Sequence, residues 1–162
     1  LQDLFAYTID GFQLTQGNGV RIELSAEKAL PQILGNEAEL YEVFVQLLKN
    51  ACEAAEGRDE PRIDVRLTRV DRPGPAAGDE QGNKDAAATP WLRVLVSDNG
   101  AGIPPGLQRE VLRPFYTTRG RHRMGLGLNM VETALRGHGG FLRLDNNADG
   151  GTQVALFFPA VV

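Results

Sequence analysis

Five short stretches hold the side chains able to do chemistry. In "QLLKNACEA" Gln46, Asn50 and Glu53 stand four and three residues apart, which places them along one edge of a helix. A carboxamide oxygen on such an edge is a hard, neutral ligand. Mg²⁺ uses such ligands when it keeps most of its waters and shares phosphate oxygens. An isolated Asn beside an apolar stripe is equally an ordinary polar rim. In "VSDNGAGIP" Asp98 closes an apolar run. A carboxylate at a strand end can accept a hydrogen bond from the exocyclic amine of adenine and repels the carbonyl oxygen that guanine presents there. Gly100 and Gly102 would let backbone approach the base, having no Cβ. Asp-Asn-Gly is also a common hairpin turn.

The third stretch, "GLGLN" at residues 125–129, opens a helix. Unpaired N–H groups and the helix dipole favour a phosphate at such a start. Before it, residues 109–123 carry Arg109, Arg113, Arg119, Arg121 and Arg123 against one acid, Glu110. Arginines suit a triphosphate; a solvated basic loop explains them as well. Last, "DGGTQ" either makes only a hairpin turn or brings Thr152 beside Asp98, where a hydroxyl or a water would steady the carboxylate.

The elements that must position these residues follow from periodicity. Leu1, Leu4, Phe5, Ile9 and Phe12 recur at helical spacing over residues 1–12, and glycines at 17 and 19 stop the helix. "VRIELS" alternates as a strand, and "QILGN" reads as a second, short one. Asn36 is a helix N-cap with Glu39 three residues on, the capping-box spacing. From there to about residue 56, Leu40, Val43, Phe44, Leu47, Leu48 and Ala51 form the apolar face of the strongest helix. "RIDVRLTRV" and "WLRVLVSD" are strands, separated by a loop at residues 71–90 with no large apolar side chain. A short helix is expected near residues 106–112 and a longer one over 127–136. The end is a hairpin: "GFLRL", the turn "DNNADGG", and "TQVALFFP". Three helices and about five strands with hairpins imply a two-layer α/β sandwich.

The chain has 162 residues, enough for one domain with a real core, and 42% of them are hydrophobic. Its net charge of −4 makes nucleic acid a poor partner. A single cysteine, Cys52, excludes a disulfide within the chain and fits a reducing compartment. "VALFFPAVV" is too short to span a bilayer and holds Pro159. No signal-peptide pattern is present, and a chain opening on Leu1 is expected to be a fragment of a longer one.

Taken in order, "QLLKNACEA", "VSDNGAGIP", "LRPFYTT", "GLGLNMV" and "DGGTQVALFFP" resemble the N, G1, F, G2 and final glycine boxes of the catalytic ATP-binding domain of sensor histidine kinases. That superfamily also contains DNA gyrase, a heat-shock chaperone and mismatch-repair proteins. The resemblance covers essentially the whole chain. It implies an α/β sandwich whose mixed, mostly antiparallel sheet packs on three helices, with an ATP lid over residues 116–125. It makes Asp98 the adenine-reading carboxylate, Asn50 the Mg²⁺ ligand, and Asn50 and Gln46 the catalytic positions. It implies ATP contacts from Glu53, Gly100, Gly102, Ile103 and Thr152. The lid and the following helix start would add Thr118, Arg119, Arg121, Arg123, Gly125, Leu126, Gly127 and Leu128.

The ATP-hydrolysing relatives usually carry a Glu where Gln46 stands, and an amide cannot take a proton from water at neutral pH. Gln46 therefore argues against a gyrase-type ATPase and the intact boxes against a degenerate interaction module, so the resemblance implies a kinase. Many kinases have a basic residue at Glu53 and a glycine at Arg123. Neither His122, in the lid, nor His138, in "RGHGG", has the context of a phosphoacceptor; His138 reads as a loop residue. The acceptor is then expected on a separate helical dimerisation domain of the parent, joined through residues 1–16. A response regulator would be served indirectly, and this domain would work in the cytoplasm without touching a membrane.

Overall fold

The computed structural model describes residues 2–16, 19–71, 90–104, 106–107, 110–112 and 127–161. The elements run α1 (Gln2–Gln16), β1 (Arg21–Ala26), α2 (Glu37–Ala55), β2 (Arg62–Val70), β3 (Trp91–Asp98), a 3₁₀ turn (Glu110–Leu112), α3 (Gly127–Gly137), β4 (Phe141–Asn146) and β5 (Thr152–Pro159). The sheet order is β1-β2-β3-β5-β4. β1 and β2 pair in parallel, as the long crossover through α2 requires, and the other neighbours are antiparallel. This is the expected sandwich of a mixed, mostly antiparallel sheet and three helices.

One apolar core decides where α2 lies. Its stripe of Leu40, Val43, Phe44, Leu47, Leu48 and Ala51 is buried throughout, against Ile63, Val65 and Leu67 of β2 and Leu92, Val94 and Val96 of β3. Phe5 of α1 stacks on Phe44 with ring centroids 3.5 Å apart. Full burial of one such side chain contributes about 1.5–3 kcal/mol, so α2 is anchored along its length and its polar edge has a fixed position. The α2 N-cap forms as expected: Asn36 Oδ1 accepts from the N–H groups of Ala38 and Glu39.

Two expectations, the strand at "QILGN" and the limits of the last turn, are corrected. "QILGN" is not a strand: only Ile33 makes a bridge, to Ala160. Pro31 and Gly35 flank a single apolar pair there, too little for a ladder. Near residues 106–112, where a short helix is expected, the described residues form the 3₁₀ helix Glu110–Leu112, and the Val111 N–H donates to the Leu107 carbonyl at 3.0 Å. At the C-terminal hairpin, β4 runs on to pair Asn146 with Thr152, so the connecting turn is shorter than "DNNADGG". The 71–90 loop lies mostly outside the described residues. Its anchors, Val70 and Trp91, pair at the end of β3 opposite Asp98. β3 is 8 residues long, about 26 Å at roughly 3.3 Å per residue, so the loop leaves the sheet far from Asp98.

Candidate nucleotide site

The site is built along α2. Gln46, Asn50 and Ala54 recur every four residues, so they follow one another up a single face at 1.5 Å rise per residue, about 12 Å in all. At the first step, Gln46 Nε2 donates to Asn50 Oδ1 at 2.9 Å. This bond fixes the rotamer of the Asn50 carboxamide. α3 begins directly against the pair: a Cβ on Gly127 would collide with Gln46 Nε2 and lie 3.3 Å from Asn50 Nδ2. A side chain at 127 would therefore push the Gln46 amide aside and disturb its bond to Asn50.

At the third step the loop after β3 closes on α2. A Cβ on Gly100 would collide with the Ala54 carbonyl oxygen. Asp98 is 6% exposed, and its Oδ1 accepts from the N–H of Gly100 at 2.8 Å and of Thr152 at 3.2 Å. Thr152 therefore does lie beside Asp98, and the direct link runs through its backbone amide. Two amide donors hold one carboxylate oxygen and so set the plane of the group. Gly102 has φ +76°, a conformation that favours glycine, and carries the chain on to half-buried Ile103. Strand end, α2 and helix start thus bring Gln46, Asn50, Asp98, Gly100 and Gly127 to one side of the domain. Leu128, in the first turn of α3, packs its side chain on the core. Glu53 is half-buried one turn beyond Asn50.

Thr118, Arg119, Arg121, Arg123, Gly125, Leu126 and the rest of the lid lie outside the described residues, as do Arg109, Arg113 and His122. No cluster of three or more His, Cys, Asp or Glu side chains able to hold a metal occurs among the described residues. Burial, and then the neighbouring Glu53 carboxylate, push the Cys52 thiol up to about 11. Cys52 is thus neutral and inert near pH 7. Among the described residues no helix is long and apolar enough to cross a membrane.

Residues 35–162 match the family described as Histidine kinase-, DNA gyrase B-, and HSP90-like ATPase. The chain belongs to this family. It is an ATP-binding catalytic domain of the sensor histidine kinase type. It is 34% identical over 141 residues to the sensory histidine kinase/phosphatase NtrB of Rhizobium leguminosarum bv. phaseoli, covering 87% of this chain and 35% of the relative. It thus spans about a third of the length of that relative. Its fold matches a solved chain of the mycobacterial sensor histidine kinase MprB with a TM-score of 0.74 at 23% identity, covering 98% of this chain and 93% of that solved chain. Full-length ShkA in complex with AMPPNP gives a TM-score of 0.75 at 20% identity, over 99% of this chain and 30% of that one.

In this ATP-binding domain several residues support the site that sequence reasoning did not single out. Arg58 Nη2 donates to the Gly100 carbonyl at 2.6 Å. The Asn99 side chain accepts from Arg62 N–H at 2.9 Å and donates to the Glu60 carbonyl at 2.7 Å. Both tie the Asp98 loop to the segment that follows α2. His138 lies in the turn just after α3, as expected, but it does more than turn the chain. Its Nε2 accepts from the Asn36 backbone N–H at 3.1 Å, so Nδ1 carries the proton and donates to Ala134 O at 2.7 Å. It joins the end of α3 to the start of α2, taking the N–H that a capping-box Glu39 would have taken. These partners lie far apart in the chain, and no local pattern marks them.

Proposed function

We propose that this domain binds Mg²⁺-ATP along α2 and delivers the γ-phosphate to a histidine on a separate helical dimerisation domain of its parent protein. The observation that carries the reading is the order of groups on that one face. The Asp98 carboxylate sits level with Ala54, the Asn50 carboxamide one turn before it, and a glycine-opened helix start at Gln46. Adenine at Asp98 then points the phosphates toward Gly127. Asn50 Oδ1 supplies one hard oxygen, and a single neutral protein ligand suits Mg²⁺, which completes its shell with water and phosphate. Bound there, the ion would neutralise phosphate charge. Gly125 and Leu126 would extend the phosphate-binding amides of Gly127 and Leu128. Thr118, Arg119, Arg121 and Arg123 would close over the triphosphate, with Glu53 bordering the metal side and Gly102 and Ile103 lining the base.

Transfer breaks the bond from the γ-phosphorus to the bridging oxygen, which leaves with ADP. A phosphorus–nitrogen bond forms to the imidazole, whose N–H proton passes to solvent. The domain contributes alignment and charge neutralisation. Gln46 cannot take a proton from water, and its amide is engaged in orienting Asn50, so hydrolysis stays slow. A response regulator would then receive the phosphoryl group from the acceptor domain, and the reaction would take place in the cytoplasm.

With γ-labelled ATP, the 162-residue domain alone is expected to form no acid-labile phosphohistidine. Adding the acceptor domain of the parent should produce label on that domain, and Asn50→Ala should reduce it by about a hundredfold or more, the loss of a metal-linked contact made in the transition state. Label on residues 1–162 by themselves, or transfer indifferent to Asn50→Ala, contradicts the reading.

A further inference from the structure

The turn between β4 and β5 is tied to the strand-end loop by more than a hairpin needs. Asn146 Oδ1 accepts from the Ile103 N–H at 2.8 Å, and Asn146 Nδ2 donates to the Ile103 carbonyl at 2.7 Å. One side chain thus exchanges with Ile103 the two hydrogen bonds that a paired residue makes in an antiparallel ladder. A Cβ on Gly102 would lie 3.3 Å from both Asn146 Oδ1 and the Gly151 carbonyl oxygen, so the loop has little room to shift on that side. One residue on, Asn147 Nδ2 donates to Ser97 Oγ at 3.0 Å and to the Asp98 carbonyl at 2.7 Å. Two successive asparagines therefore hold the turn to the chain on both sides of Asp98.

The fold does not depend on the Asn146 bonds. β4 is already set on β5 by its own ladder from Phe141 to Asn146, and Asn146 is exposed. What they restrain is the later part of "NGAGIP", around Gly102 and Ile103, since Asn99 and Gly100 are already held by Arg58, Arg62 and Glu60; a glycine-containing stretch has much backbone freedom to lose. Without a restraint such a segment spreads over many conformers. A ligand then binds only the competent fraction, and its apparent affinity falls by that fraction.

We infer that Asn146 is a positioning residue for the adenine pocket. It holds the Gly102–Ile103 backbone against the β4–β5 turn, so that the pocket wall next to Asp98 stands in place before nucleotide arrives. This rests on the ATP reading above. Asn146 acts at the base end, so its loss weakens every adenine nucleotide equally, whatever its number of phosphates.

The test is calorimetric titration of AMP, ADP and ATP into wild type, Asn146→Ala and Asn146→Asp, with thermal unfolding of each protein alone. Asn146→Ala should weaken all three nucleotides by one common factor, about fivefold to twentyfold for two lost hydrogen bonds, with an unfolding midpoint near that of wild type. Asn146→Asp keeps the acceptor for the Ile103 N–H and should lose less for AMP than Asn146→Ala does. The inference is overturned if Asn146→Ala leaves affinity unchanged, or if its loss grows with the number of phosphates. It is also overturned if the midpoint falls while the folded fraction binds AMP as wild type does. Wild type binding none of the three removes the ATP reading itself; wild type binding with Asn146→Ala unchanged removes the positioning role alone.

Discussion

Asp98→Asn should lower ATP affinity by roughly tenfold to a hundredfold while GTP affinity changes far less. In the wild type one carboxylate oxygen is held by the N–H groups of Gly100 and Thr152. Asparagine keeps an oxygen for those two amides, so the loop after β3 retains its shape. It places an NH₂ group where adenine would donate its own amine, and two donors then face each other. A buried polar group left without a partner costs about 1–3 kcal/mol, and more for a charged one, which at about 1.4 kcal/mol per decade gives the range stated. Competition against a fluorescent nucleotide reads both affinities in one assay. If Asp98→Asn still prefers ATP to GTP as strongly as wild type, Asp98 does not read the base.

Gly151→Ala should be among the most destabilising single methyl additions in the domain. Gly151 has φ +93°, and a Cβ there would collide with the Asp98 carbonyl oxygen and lie 2.9 Å from Asn99 Cα. Every atom it meets is backbone, so no side chain can swing aside. Gly57 supplies the internal comparison: its φ is +82°, but nothing lies within 4 Å of an added Cβ. Gly57→Ala should cost only the left-handed strain, about 1–2 kcal/mol. Gly151→Ala adds the collision and should reach about 3–5 kcal/mol, a fall in unfolding midpoint of roughly 10 °C or more for a chain of this size. It also pushes on the strand end that carries Asp98, so the fraction that folds should bind ATP poorly. Equal midpoints for the two alanine variants would show that the β4–β5 turn does not press on Asp98 as described.

The elements with strong periodicity are legible in the sequence. β2 and β3 match their expected limits, and all six residues of the α2 stripe are buried, because burial on one face writes itself into the sequence at period 2 or 3.6. "QILGN" misleads because its two apolar residues, set between proline and glycine, carry no period. Three candidate residues chosen by type, Asp98, Asn50 and Gly127, stand on one side of the domain. Their supports are not legible by type. Thr152 is placed beside Asp98 by the sequence, but its direct bond comes from the backbone N–H, and residue type does not say where an N–H points. Asn146 meets Ile103 across 43 residues, and His138 meets Asn36 across 102. Such pairs are created only when the sheet order β1-β2-β3-β5-β4 brings the β4–β5 turn beside the end of β3 and packs the end of α3 on the start of α2. Asparagine in a turn looks the same whether it turns the chain or clamps a neighbour.

The most direct test of ATP recognition is a calorimetric titration of the 162-residue domain with ATP and with GTP, each with and without Mg²⁺. The expected result is saturable one-to-one binding of ATP that strengthens with Mg²⁺, and GTP weaker by about tenfold or more, the discrimination available from one buried hydrogen-bonding group. No binding of ATP in the presence of Mg²⁺, or equal affinity for the two nucleotides, would contradict a site built from Asp98, Asn50 and Gly127 along α2.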